Sequence, residues 1–291
     1  MQTSFSFEAI GTHWKIDCYG QLTLQAKEKL LGEIKTLIKR FDMHYSRFKS
    51  ESLVSQIARK KGTYKMPDTF FYMMDFYEKL YKLTSGSVTP LIGSVMVESG
   101  YDAKYSLMPK TLHHPYKWEE VIDYDKSKLI VKKPVLLDFG AAGKGYLIDL
   151  VAKILIKNKI ENYCIDAGGD ILYKNSKKKK LRVGLEHPDN TSQVIGVTEI
   201  LNESICGSAG NRRRWGKFNH IINPHTLKPA YAIKSVWVVA KEAMIADGIA
   251  TGLFFVKPER LKDEFEFEYF ILYKDLSFLK SDGFLGDVFT R

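Results

Sequence analysis

One carboxylate and one hydroxyl stand four residues apart in a stretch that is otherwise apolar. Asp247 and Thr251 fall within Lys241 to Phe255, which reads as a helix directly after the strand-like run Val236 to Val239. A spacing of four puts both oxygens on one helix face, one turn apart. A carboxylate in an apolar helix is costly unless it is hydrogen-bonded, paired or metal-bound. A neighbouring backbone group, an arginine or a hard cation would each meet that need, and among cations Mg²⁺ suits oxygen ligands. Gly248 and Gly252 repeat the spacing. Each glycine costs about 1 kcal/mol relative to alanine inside a helix, so the pair points to a group that must approach closely.

Three other segments carry chemistry-bearing residues. Gly140-Ala141-Ala142-Gly143-Lys144-Gly145 reads as a turn between a strand and a helix, with Asp138 just before it. Small residues and a helix N-terminus could receive a phosphate, or could simply allow a helix to pack closely on a strand. The segment is neither a Walker A loop, because Gly145 follows the Gly-Lys pair, nor a G-x-G-x-x-G fingerprint. In Phe218 to Pro224, His220 would share a strand face with Phe218 and Ile222, as a core histidine or a base. Arg212, Arg213 and Arg214 precede it and could meet phosphates or face water. Ser85 to Thr89 is a small polar loop that could hydrogen-bond a planar ring or merely turn.

The elements that must position these residues follow from periodicity. Phe5 to Ile10 and His13 to Tyr19 read as strands joined at Gly11-Thr12, followed by helices over Leu22 to Phe41 and Pro67 to Leu83. Residues 98 to 119 lack strong periodicity and form an excursion. Val121 to Tyr124, Leu129 to Val131 and Val135 to Phe139 read as short strands, and a helix then runs from the glycine-rich turn to about Lys157. Asn162 to Asp166 and Ile171 to Tyr173 flank a tight turn, and further strands are expected at 181–185, 194–200, 203–207, 217–222, 234–240 and 267–273. Regular βαβ alternation is missing, so the fold class is α+β with largely antiparallel sheets. No linker divides the chain, and residues 1–291 read as a single domain.

The chain carries a net charge of +10, mostly from scattered lysines; its one dense run, Lys177 to Lys180, reads as a solvated tip between strands. No nucleic-acid motif accompanies that charge. The three cysteines, Cys18, Cys164 and Cys206, lie far apart in apolar runs and read as reduced core residues. No apolar run approaches 18 residues, so no membrane span is expected. The N-terminus shows neither a signal peptide nor a lipid-attachment cysteine, which fits a cytoplasmic protein, or an extracytoplasmic one whose chain begins after a removed signal.

In chain order, these segments resemble the FAD:protein FMN transferases of the ApbE type. The resemblance rests on Ile10-Gly11-Thr12, Tyr45-Ser46-Arg47-Phe48 with Ser52 to Ile57, Ser85-Gly86 with Val88-Thr89-Pro90, and Leu137 through Tyr146. It continues through Asp166 to Asp170, Gly210 to Arg214, His220 to Pro224, and Ala246-Asp247-Gly248 with Ala250-Thr251, and so covers nearly the whole chain. It implies a two-lobed T-fold-like architecture with FAD, the substrate, held between the lobes. It also implies Mg²⁺ on the FAD pyrophosphate, ligated by Asp247, Thr251 and the Ala141 carbonyl. Asp138 and Lys144 match FAD-contacting positions, Ser87, Val88 and Thr89 match an adenine-side loop, Ile10 and Phe48 line the cleft, and His220 and Ile221 lie beside flavin and phosphates. The activity implied is transfer of FMN from FAD to a Thr or Ser hydroxyl of an acceptor protein, such as a redox-pump subunit or a flavin reductase, with release of AMP. His220 is the candidate base and Asp247 the second choice. Hydrolysis of FAD to FMN and AMP, or FAD binding without catalysis, are the alternatives. The chain departs from the family pattern at Thr89, where Asp or Asn is common, at Ala209 in place of Ser, and at Leu227 in place of Gly, after which a differently shaped turn is expected.

Overall fold

The computed structural model describes residues 2–289. Its centre is an eight-stranded sheet in the order Thr3–Ala9, Thr12–Cys18, Tyr163–Ala167, Asp170–Lys174, Ser204–Ala209, Ile233–Ala240, Glu268–Tyr273 and Phe278–Lys280. Every neighbouring pair is antiparallel. The α+β class, with antiparallel sheets, is thus as the sequence indicates.

Both faces of this sheet are covered, and the strand Ile233–Ala240 is accordingly apolar on both sides. Val236, Val238 and Ala240 point into the main core with Ile16, Ile165 and Cys206. That core is completed by the helices Leu24–Tyr45, Asp68–Leu83, Gly143–Lys157 and Ala243–Gly252. Trp237 and Val239 point the other way, against Phe270, Leu272 and Phe284. A second sheet, of Leu181–His187, Asn190–Ile200 and Gly286–Val288, closes that side with Leu185 and Ile200. A third, smaller cluster gathers Val95, Met96, Tyr101, Trp215, Phe218 and Ile222.

Several elements differ from the sequence reading. Val135 to Phe139 is not a strand: Leu137 and Phe139 are buried in the main core, but no neighbouring strand pairs with the segment. Its Asp138 N–H instead bonds the Pro90 carbonyl at 2.8 Å. The expected strand at 217–222 is broken into pieces of two hairpins, Arg214–Trp215 with Phe218–Asn219 and Ile222–Asn223 with Lys228–Pro229. His220 lies between them, so the strand-face reading of that residue is wrong. Trp118–Val121 is a helical turn leading into the strand Ile122–Tyr124.

The glycines of the Asp247 helix have a structural explanation rather than a ligand. A Cβ on Gly248 would lie 2.4 Å from Phe76 Cε1, and one on Gly252 would lie 3.2 Å from Leu261 Cδ1. A tighter contact lies between two helices, where a Cβ on Gly145 would lie 2.1 Å from the Ala243 carbonyl oxygen. That oxygen is backbone and cannot rotate away. Gly145→Ala should therefore destabilise the protein by about 3 kcal/mol, the upper end of overpacking costs. Gly32→Ala, on the Leu24–Tyr45 helix with nothing within 4 Å of its Cβ, should stabilise it by about 1 kcal/mol. Urea unfolding of the two variants measures both.

Candidate active site

All the candidate residues line one cleft of about 1050 Å³: Ile10, Phe48, Ser87, Val88, Thr89, Asp138, Ala141, Lys144, His220, Ile221, Asp247 and Thr251. Sequence spacing alone could not bring them together, because they derive from the first hairpin, three loops, two helices and the inter-hairpin segment.

Asp247 lies at the floor of the cleft, 5% exposed. Its Oδ2 accepts the Gly145 N–H at 2.9 Å, in the first turn of the Gly143–Lys157 helix. Burial raises its pKa; the Lys144 ammonium, the Gly145 N–H and the Arg213 guanidinium oppose that rise. Two carboxylates in or beside the cleft, Asp138 and Asp170, have direct cationic partners. Asp138 accepts Arg47 Nε at 2.5 Å and the Gly140 N–H at 2.7 Å. Asp170 pairs with Lys144 and accepts the Gly207 N–H at 3.1 Å. Asp247 makes no salt bridge among the described residues, so a cation delivered from outside would fill a real electrostatic need. The Thr251 hydroxyl, one turn away, makes only a long contact to the Asp247 carbonyl at 3.4 Å, which leaves its oxygen available as a ligand.

No cluster of three or more His, Cys, Asp or Glu side chains occurs among the described residues. One carboxylate, one hydroxyl and one backbone carbonyl cannot complete an octahedron. That incompleteness fits Mg²⁺, which is usually held by one or two carboxylates while water and substrate phosphates supply the remaining oxygens. The adjoining helix start provides for such a phosphate. Ala142 precedes the helix without a side-chain cap, so the positive end of the helix dipole faces the cleft.

His220 is held between the hairpins by its backbone N–H, which donates to the Arg213 carbonyl at 3.2 Å. Its Nδ1 is buried with no hydrogen-bond partner among the described residues. Burial, and then the Arg213 charge, push the imidazole down to about 4. The ring is therefore neutral at neutral pH, with an unsatisfied nitrogen at the cleft wall. In the free protein it is a weaker base than an ordinary histidine.

Comparisons with known proteins bear on this arrangement. Residues 10–269 match the model of the ApbE family. The chain belongs to the ApbE family. It is 26% identical over 275 residues to the FAD:protein FMN transferase of Haemophilus influenzae, covering 86% of this chain and 80% of that protein. It is 24% identical over 276 residues to the enzyme of the same name from Vibrio cholerae, covering 89% and 83%. The ApbE protein of Thermotoga maritima has the same fold, with a TM-score of 0.82 at 21% identity over 97% of both chains. The flavin transferase ApbE of Vibrio cholerae gives 0.79 at 21% identity, over 97% of this chain and 96% of that one. The expected enzyme class, a transferase, follows from these relatives.

Within the ApbE fold this chain accommodates its own departures. Thr89 is buried, and its hydroxyl accepts the Leu91 N–H at 3.2 Å, serving as the cap that Asp or Asn would also provide. Leu227 takes φ 55°, the region that glycine enters freely. The leucine is thus accommodated by backbone strain of about 1–2 kcal/mol, with no need for a re-routed turn. Ser85 and Gly86, at φ 50° and 84°, turn the loop that leads to Val88, which the Thr84 hydroxyl holds by accepting the Val88 N–H at 3.0 Å.

Three positioning groups escaped the sequence reading. Arg47, 7% exposed, holds Asp138, donates to the Tyr101 carbonyl at 2.6 Å and lies 4.2 Å from the Phe48 ring centroid. Its only signal was membership of the Tyr45 to Phe48 motif. Asp170 likewise showed only as the end of the Asp166 to Asp170 turn. Asp149 gave no signal. It projects from the Gly143–Lys157 helix, one turn beyond Gly145, and accepts the Ala243 N–H at 2.9 Å and the Met244 N–H at 2.8 Å. It thereby caps the Asp247 helix, which has no side-chain cap of its own.

Burial raises the Asp149 carboxyl from its ordinary value to about 7, against the lowering effect of those two N–H groups. Because the folded value lies above the unfolded one, this group's contribution to stability is present below about pH 4 and is lost as pH rises through about 7. Asp149→Ala leaves two helix N–H groups unpaired and should cost about 1–3 kcal/mol at neutral pH. It should also flatten the fall in stability between pH 4 and 7, as read from urea unfolding across that range.

The hairpin beside the cleft carries strain of its own. Ile10 and Gly11, at φ 45° and 75°, form a two-residue turn between Ala9 and Thr12 of the type that favours asparagine at its first position. A β-branched residue there is a conformational outlier, and such outliers concentrate at ligand sites. Ile10→Asn should raise stability by about 1 kcal/mol while weakening FAD binding, and thermal melts with and without FAD measure both effects.

Proposed function

We propose that this protein transfers FMN from FAD to a Thr or Ser hydroxyl of an acceptor protein, with AMP as the leaving group. The observation that carries this reading is the pairing of a buried carboxylate lacking a cationic partner, Asp247, with an uncapped helix start in one cleft.

The cleft residues divide the work. The Gly140 to Gly145 turn and the helix behind it receive the anionic pyrophosphate, and Arg213 adds a second positive field. Asp247, Thr251 and the Ala141 carbonyl would hold Mg²⁺, which when bound neutralises phosphate charge and stabilises the leaving group. Ser87, Val88 and Thr89 would take the adenine side, while Ile10, Phe48 and Ile221 provide apolar wall. Lys144 is not a free phosphate ligand: its ammonium already pairs with Asp170, so it contributes a compensated charge close to the pyrophosphate.

In the transfer, the acceptor oxygen forms a bond to the FMN phosphorus as the bridging P–O bond breaks, and AMP departs with the bridging oxygen. The hydroxyl proton goes to His220. A bound pyrophosphate would offset the Arg213 charge that depresses the imidazole, raising its basicity when the substrate is in place. The low-pH limb of kcat/KM, which reports the free enzyme, should therefore lie below that of kcat.

Incubation with FAD, Mg²⁺ and a threonine-containing acceptor, followed by mass analysis, tests the reading. The acceptor should gain an FMN phosphoester with equimolar AMP, and Asp247→Ala should lower the rate by at least about 100-fold. Free FMN with an unmodified acceptor would replace transfer by hydrolysis, and intact FAD would leave a binding protein.

A further inference from the structure

One backbone carbonyl at the start of the Gly143–Lys157 helix is left free. In a regular helix the Gly145 N–H would donate to the carbonyl four residues back, that of Ala141. It donates instead to Asp247 Oδ2 at 2.9 Å. The next carbonyl along, that of Ala142, accepts the Tyr146 N–H at 3.0 Å, as helical geometry requires. The Ala141 carbonyl accepts no hydrogen bond among the described residues. Asp247 thus takes the donor that would otherwise have occupied it.

An unpaired carbonyl in a turn has no fixed direction unless its peptide unit is held. The unit is planar, and in the trans form its C=O and N–H point in opposite directions. No peptide bond among the described residues is cis. The N–H of this unit belongs to Ala142, which is fully buried. It donates into the core, to Tyr77 Oη at 3.1 Å, with a longer contact to the Phe139 carbonyl at 3.4 Å. The Ala141 carbonyl is therefore turned away from Tyr77, and Ala141 lines the cleft while Ala142 and Tyr77 do not.

Tyr77 is suited to that task. It lies on the Asp68–Leu83 helix, is 0% exposed and packs edge-on against Phe139, with ring centroids 5.5 Å apart. Its oxygen accepts the Ala142 N–H, and its own proton has no acceptor among the described residues. Burying a hydroxyl costs free energy that phenylalanine, with the same ring, would avoid. What the oxygen adds is one oriented peptide.

We propose that Tyr77 is a positioning residue for the cation: by holding the Ala142 N–H from inside the core, it keeps the Ala141 carbonyl aimed at the place where Asp247 and Thr251 would hold Mg²⁺. The inference rests on the metal site of the proposed function. Asp247 then acts twice, as a ligand and as the group that draws the Gly145 N–H away from Ala141. Without the phenol oxygen the peptide keeps only the longer contact to Phe139, and its carbonyl can turn from the cation. A water would take the vacated position, since Mg²⁺ readily keeps water ligands.

Electron paramagnetic resonance on the full chain with FAD, using Mn²⁺ for Mg²⁺ and no acceptor, tests the role. Titration gives the affinity for the ion, and line broadening in ¹⁷O-labelled water counts the waters on it. Tyr77→Phe, which keeps the ring and its packing, should weaken Mn²⁺ binding roughly tenfold and add about one bound water. Its FAD affinity in EDTA should stay within about twofold of the unaltered protein, which also reports that the variant folds. Tyr173→Phe removes a phenol–backbone hydrogen bond of similar length, 2.8 Å to the Lys179 carbonyl, from the other large core cluster, and should change none of these. Unchanged Mn²⁺ affinity and water count in Tyr77→Phe would overturn the positioning role and leave the metal site standing. Weaker binding without an added water, or an equal effect in Tyr173→Phe, would overturn it as mere loosening of the fold. An unaltered protein that binds no Mn²⁺ with FAD present would overturn the metal site and this inference together.

Discussion

The site depends on how closely two helices approach at a residue with no side chain. Because Gly145 has no Cβ, the Ala243 carbonyl lies where one would be, and the Gly145 N–H reaches Asp247 Oδ2 at 2.9 Å. Asp149, four residues further along the same helix face, closes the contact by capping the start of the partner helix. Two hydrogen-bonded links and one steric fit thus fix where a buried carboxylate sits relative to a helix N-terminus. A shift of one ångström there would separate the group suited to a cation from the group suited to its phosphate.

Charge in the cleft follows the same logic. Burying a carboxylate without a partner is costly, and the protein meets that cost with Arg47 at Asp138 and with Lys144 at Asp170. Only backbone and more distant charges serve Asp247. Those fixed pairs shape the pocket without competing for the substrate, and Asp247 is left without a cationic partner among the described residues. The same low-dielectric surroundings depress His220, so its basicity depends on the charge of whatever occupies the cleft. That dependence would suppress a reactive base until substrate has entered.

Much of this was legible in the sequence. Helical spacing placed Asp247 and Thr251 on one face, small residues marked the turn at Gly140 to Gly145, and the order of the motifs indicated the family, which the match over residues 10–269 shows. Other features depend on tertiary contact and leave little local trace. Val135 to Phe139 alternates like a strand because its odd residues are buried in the main core, yet no strand lies alongside to pair with it. The close approach that Gly248 implied is made by Phe76, far away in sequence, whose identity spacing could not supply. Asp149 has no local signal, and only the packing of a second helix makes it a cap. Arg47 and Asp170 belonged to recognised motifs, but their partners could not be read from spacing.

The most direct test of the account is diffraction from crystals grown with FAD and Mn²⁺ in place of Mg²⁺, with data collected for anomalous scattering. The account predicts one peak in contact with the Asp247 carboxylate and the Thr251 hydroxyl, bridged to the pyrophosphate at the Gly140 to Gly145 turn. A metal peak away from Asp247, or a pyrophosphate bound far from that turn, would contradict it.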